Sequence, residues 1–198
     1  AMHGSLISGS LSTTFTASQG LLLMIPNMYK MAGEMLPGVT HVASRSLATH
    51  ALSIFGDHSD VYATRGTGFC ILSSSSVQEA QNMAAVAHLS AMKSSLPFLH
   101  FFDGFRTSHE LNTITSLKEE DLLSLVPTSS VQQFRNRSLN VHHPIERGMA
   151  ENEDIYFQSM EAKNSFYENV PDIVNHYMKE INLLAHTNYA PFTYYGDE

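Results

Sequence analysis

Three short stretches of this 198-residue chain set chemically able side chains directly beside apolar runs. In VTHVASR the apolar run from Val39 closes on Arg45. A guanidinium at a strand end can fork onto a carboxylate through two parallel hydrogen bonds; a salt bridge at the sheet edge is the competing reading. In FLHFFDGFRTSHE the aromatic run breaks at Asp103-Gly104 and at once presents Arg106, Thr107, Ser108, His109 and Glu110. In the third, Thr16-Ala17-Ser18-Gln19-Gly20 separates a β-rich stretch from an apolar helix. Backbone amides at a helix start can face a ligand and glycine allows its close approach, while the alternative is a tight strand-to-helix turn.

Other motifs carry less. Gly66-Thr67-Gly68 precedes its strand, whereas the dinucleotide fingerprint follows one. His142-His143 has no third ligand at a helical metal spacing, and no Gly-x-Ser-x-Gly elbow anchors hydrolase chemistry. Cys70, in the middle of a predicted strand, reads as a small core residue, and Tyr189, Tyr194 and Tyr195 as packing for a terminus.

Composition narrows the partners. Nineteen acidic residues against eleven basic give a net charge of -8, which repels phosphate backbones and anionic lipid, so neither nucleic acid nor membrane is expected as a partner. The single cysteine excludes an internal disulfide or a cysteine-ligated cluster built from this segment alone, and fits a reducing compartment. No apolar run approaches the ~20 residues of a membrane span, and AMHGSLISGS lacks the features of a signal peptide.

The elements that must position these residues follow from periodicity. Ala1–Leu11 reads as the tail of a small-residue helix, and STTFTA (12–17) as a strand. LLLMIPNMYKMAGEML reads as a buried helix with Pro26 as a kink, and VTHVAS (39–44) as the next strand. GFCILSS (68–74) is a third strand, Ser76-Val77-Gln78-Glu79 caps a helix from Val77 to about Lys93, and Leu96–Phe102 is a fourth strand buried on both faces. Strands alternating with helices predict an α/β fold, a parallel sheet between two helical layers. Ligands bind such sheets at the carboxyl ends of the strands, where Arg45, Ser18-Gln19-Gly20 and the Arg106–Glu110 cluster should all fall. Residues 113–165 read as surface helices and a connection after the βα core of 1–112, and residues 166–198 as a C-terminal helix and tail, with Val170, Ile173, Val174, Tyr177, Ile181 and Leu184 as its apolar stripe.

The run STTFTASQGLLLMIPNMYKMAGEMLPGVTHVASRSLATHALSIFGDHSDVYATRGTGF, continued by SSSSVQEAQNMAAVAHLSAMKSSLPFLHFFDGFRTSHE and NEDIYFQSMEAKNSFYENVPDIVNHYM, closely resembles pyruvate:ferredoxin (flavodoxin) oxidoreductases. The resemblance implies an N-terminally truncated pyrimidine-type domain of the thiamine diphosphate-binding fold. It implies that the whole enzyme oxidatively decarboxylates pyruvate, passes acetyl to coenzyme A and sends electrons through iron-sulfur clusters to ferredoxin or flavodoxin. Thiamine diphosphate with magnesium would be held between this domain and others, in a homodimer, in the cytoplasm or a reducing anaerobic organelle. By the same resemblance Arg45 holds the pyruvate carboxylate, and Ser18, Gln19 and Gly20 lie near the aminopyrimidine ring. The activating glutamate, the magnesium-diphosphate segment and the cluster cysteines of the family have no counterpart here, so the segment alone is expected to be inactive and to bind the cofactor weakly. A pyruvate:NADP oxidoreductase fusion carrying the same domain, and a non-catalytic binding or assembly module, are the competing readings.

Overall fold

The computed structural model describes residues 1–196. Four strands, β1 (Thr13–Thr16), β2 (Val39–Ser44), β3 (Cys70–Ser74) and β4 (Phe98–Asp103), form one sheet in the order β1-β2-β4-β3. Every pairing is parallel, as expected where each strand is followed by a helix or long crossover rather than a hairpin turn. The register sets His41 beside His100 and Ser44 beside Asp103, so the carboxyl ends of β2 and β4 finish level.

Helices cover both faces. On one face α1 (Met2–Ile7), α2 (Gln19–Gly33), α3 (Ser59–Thr64) and the later α7 (Thr128–Asn136) enclose Leu6, Leu21, Met28, Met31, Val61 and Phe134 against Val42 and Leu99. On the other, α4 (Val77–Ser94) and α10 (Val170–Ala185) pack Met83, Val86, Ala87, Tyr177, Met178 and Ile181 against Val39 and Phe98. The β-branched and aromatic strand residues and the small stripe of α4 are what permit this close three-layer packing. The remaining helices are short: α5 (Arg106–His109), α6 (Glu119–Leu125), α8 (Glu153–Glu161) and α9 (Asn164–Glu168), none with a buried residue.

Two strands start later than periodicity suggested. Gly68 takes a left-handed φ of 89° after a 3-10 turn over Arg65–Thr67, so β3 opens at Cys70. Ser95 at φ 60° and Pro97 keep the chain turning, so β4 begins at Phe98 and extends to Asp103. Strand β4 is fully buried only at Phe98, Leu99 and His100; Phe101 to Asp103 are half-buried. Helix α2 continues through Pro26 as one element. Strand β1 forms an edge, where Phe15 (74% exposed) and Leu23 of the adjoining helix (81%) leave an apolar flank uncovered.

The cap of α4 shows how locally the sequence acts. Ser76 Oγ accepts from Glu79 N at 3.2 Å, and the Glu79 carboxylate reaches back to Ser75 N at 2.6 Å, one residue before the cap. Ser76→Ala should therefore cost about 1 kcal/mol of stability in denaturant titration. A loss smaller than about 0.3 kcal/mol would show that this hydroxyl does not hold the helix start.

Candidate functional site at the carboxyl edge

The ends of β1, β2 and β4 meet the start of α2 around one buried carboxylate. Asp60, at the start of α3, has no solvent exposure and accepts from four donors. Its Oδ2 takes the Ser18 amide at 2.9 Å and the Arg45 amide at 3.1 Å; its Oδ1 takes Ser44 Oγ and its own neighbour Val61 N, both at 2.7 Å. Four short donors supply what water would have given, and so a buried carboxylate can remain there. One side chain thereby ties together two of the stretches singled out by sequence.

Arg45 is half-buried and leaves the end of β2 toward Gly104. Its Nε donates to the Gly104 carbonyl at 2.7 Å, while neither terminal nitrogen has a hydrogen-bond partner or a carboxylate among the described residues. The guanidinium is held by its stem with both prongs of the fork open. Gly104 is required at this crossing, because a Cβ there would run into the carbonyls of Ala43 and Ser44 and the Arg45 side chain.

The loop before α2 is turned inward. Ser18 adopts φ 49°, ψ -124°, a conformation costly for any residue with a Cβ, and is held by its amide on Asp60 and its Oγ on the Ser46 carbonyl at 2.9 Å. Gln19 Nε2 donates to the Ala48 carbonyl at 2.8 Å. Gly20 packs against Thr16 Oγ1, which occupies the space a Cβ would need. The glycine is thus explained by contact within the protein, and the loop presents backbone and a wall rather than free side-chain donors.

The Arg106–Glu110 cluster forms α5 just past β4, anchored by Asp103 Oδ1, which accepts from the Phe105 amide at 2.9 Å and from the Arg106 amide. Arg106, Ser108, His109 and Glu110 are exposed. Phe105 lies tilted against Phe55 at 5.8 Å and His109 at 6.2 Å, so a partly exposed aromatic group follows directly on Gly104, whose carbonyl holds Arg45. Cys70 is inert, since burial pushes its thiol up to about 12. His142 and His143 are exposed, beside an isolated bridge between Asn140 and His143. Tyr189 accepts from Asn82 Nδ2 at 3.0 Å and so pins the tail, whereas Tyr194 and Tyr195 are exposed.

Two features escaped the sequence reading. Asp60 sits in the polar stretch GDHSD, where nothing in its spacing marks it as buried. A chain of imidazoles crosses the α4 side of the sheet: Ser74 Oγ to His100 Nε2 at 2.6 Å, His100 Nδ1 to His41 Nδ1 at 2.9 Å, and His41 Nε2 to His88 Nε2 at 3.2 Å. Burial, together with the neighbouring imidazoles, pushes His41 down to about 4 and His100 down to about 3; burial lowers His88 as well. A polar imidazole in each of two otherwise apolar strands was the available signal.

A cavity of about 630 Å³ lies at the opposite, amino edge, lined among others by Lys30, Glu34, Gly68, Lys163 and Tyr167. It shares no residue with the Asp60–Arg45 assembly. Among the described residues no group of three or more His, Cys, Asp or Glu is placed to hold a metal ion, and no helix is long and apolar enough to cross a membrane.

The chain is 58% identical over 196 residues to the pyruvate:ferredoxin oxidoreductase of Moorella thermoacetica and 55% identical to the pyruvate-flavodoxin oxidoreductase of Enterobacter agglomerans; each alignment covers 99% of this chain and 17% of the relative. It is 53% identical to the mitochondrial pyruvate dehydrogenase [NADP(+)] of Euglena gracilis, over 99% of this chain and 11% of that protein. The chain thus spans about a sixth or less of the length of these relatives. In fold it matches a 2-oxoglutarate:ferredoxin oxidoreductase from Magnetococcus marinus with a TM-score of 0.58 at 15% identity, over 86% of this chain and 35% of that one. The family model described as "Pyruvate flavodoxin/ferredoxin oxidoreductase, thiamine diP-bdg" matches residues 1–179, and the chain belongs to that family.

Proposed function

We propose that this chain is one segment of a longer thiamine diphosphate-dependent enzyme that oxidises pyruvate to acetyl-coenzyme A, and that its part is to hold the substrate carboxylate. The observation that carries this reading is Arg45, fixed through Nε on Gly104 with its terminal nitrogens open at the carboxyl edge. A fork held by its stem meets a carboxylate with little further ordering, the condition for a bidentate contact that orients as well as binds. Ser18, Gln19 and Gly20 form the neighbouring wall against which the pyrimidine side of the cofactor would rest.

The described residues do not fit the cofactor as a whole. Magnesium needs convergent oxygen ligands, and among the described residues no such group converges at this edge, where the Asp60 oxygens are already occupied by four internal donors. We therefore place the metal-diphosphate contacts, and the iron-sulfur clusters that a single cysteine cannot hold, in other parts of the parent enzyme. The electron acceptor is ferredoxin or flavodoxin in this reading. A fusion that reduces NADP is the second reading, kept open by the 53% identity to the Euglena protein. The parent would work as a homodimer in the cytoplasm or a reducing organelle.

In the full-length enzyme carrying this segment, Arg45→Ala should lower kcat/KM for pyruvate by roughly 10- to 150-fold, corresponding to about 1.5 to 3 kcal/mol for a hydrogen-bonded charge. Arg45→Lys should recover only part of that, because lysine lacks the planar fork. Unchanged pyruvate kinetics in the alanine variant would remove Arg45 from the site.

A further inference from the structure

We infer that Asp60 is a positioning residue for pyruvate recognition, setting the Arg45 fork and the Ser18 loop in a common frame. The inference rests on the Arg45 reading above and goes beyond it, by naming the group that makes that arginine competent. Three features of the geometry carry it.

First, Asp60 Oδ2 is shared by the amides of Ser18 and Arg45, which belong to segments 27 positions apart in the chain. No direct hydrogen bond joins those two residues among the described contacts; beyond the β1–β2 pairing, their segments are tied by this carboxylate, by Ser18 Oγ on the Ser46 carbonyl and by Gln19 Nε2 on the Ala48 carbonyl. Second, Asp60 binds the arginine by its main-chain amide and makes no ion pair with its guanidinium. An aspartate this close would ordinarily capture the side chain; here the Ser18, Ser44 and Val61 donors saturate its oxygens, and Arg45 swings to Gly104 with its charge still available. Third, Ser18 holds a strained backbone conformation, which persists only where surrounding contacts over-determine it. The Asp60–Ser18 bond is one of those contacts.

An asparagine at this position has a similar shape and keeps one acceptor oxygen but brings an NH₂ group against donors that need an acceptor. Asp60→Asn should therefore fold while loosening one side of the frame. The decisive experiment is a double-mutant cycle in the full-length enzyme, comparing Asp60→Asn, Arg45→Ala and the double variant for pyruvate kcat and KM, with thermal melting of each. The expected result is a 10- to 50-fold loss of kcat/KM in Asp60→Asn, carried mainly by KM, and a double variant no worse than Arg45→Ala alone. Asp60→Glu, which retains the charge at a longer reach, should restore part of the loss. Full additivity of the two losses, or wild-type KM in Asp60→Asn, would overturn the role assigned to Asp60 while leaving Arg45 in place. No effect of Arg45→Ala itself would overturn the underlying substrate reading instead. If Asp60→Asn fails to fold, Ser44→Ala, which removes one donor from the same carboxylate, is read in its place against the same outcomes.

Discussion

Lowering the pH from 7 to 5 is expected to cost this domain about 3 kcal/mol or more of unfolding free energy, through His41 and His100. In the unfolded chain both take up a proton near pH 6.5, whereas in the fold burial beside other imidazoles holds them to about 4 and about 3. The unfolded state therefore binds more protons throughout that interval, so stability falls as pH falls, is fully present above about 6.5, and drops by up to about 1.4 kcal/mol per pH unit for each histidine. His88, also held low by burial, adds in the same direction. Carboxylates do not mimic the effect. Glu34, where Lys30 and His3 outweigh burial, and Asp57, bonded by the Ser59 amide, are held below the ordinary range and lose their contribution only at lower pH. Denaturant titrations at pH 7, 6 and 5 test this, with His100→Leu expected to show a shallower slope than the parent. Equal stability at pH 7 and 5 would mean that the imidazole chain opens to water.

Replacing Asp60 by alanine is the other large expected effect, about 3 to 5 kcal/mol of destabilisation. Removing the carboxylate strands the Ser18 amide, the Arg45 amide and Ser44 Oγ, and each unmet buried donor costs about 1 to 3 kcal/mol. Ser44 Oγ can turn its one proton from Asp60 to the Asp57 carbonyl, so the penalties do not simply add. Asp60→Asn should fall well short of the alanine loss because one acceptor survives. Equilibrium unfolding of the two variants measures the difference; an alanine variant within about 1 kcal/mol of the parent would show that water enters and satisfies those donors.

Much of the architecture is legible from periodicity. Apolar runs bounded by Pro and Gly mark β2 and β4, the Ser76–Glu79 cap marks the start of α4, and the stripe from Val170 to Leu184 marks α10, because each rests on contacts within a few residues. The carboxyl-edge location of Arg45 and of the Ser18 loop follows in turn from strand order in a parallel sheet. The helices α8 and α9 are harder to read, since they bury no residue and so carry little hydrophobic pattern.

What local pattern cannot specify is which polar groups meet across long separations. Asp60 reaches Ser18 over 42 positions and His41 meets His100 over 59, pairings created by the β1-β2-β4-β3 strand order and its register. Gly20 illustrates the same limit: its type suggests an approaching ligand, and the fold sets Thr16 there instead. Composition and spacing by themselves determined an α/β parallel fold and the sheet edge at which Arg45 and the Ser18 loop fall, because burial periodicity and chain direction are properties of short segments. Only the tertiary structure decided that a buried carboxylate organises that edge and that the arginine fork stays open, because hydrogen-bond satisfaction in a closed interior depends on what the fold brings within about 3 Å.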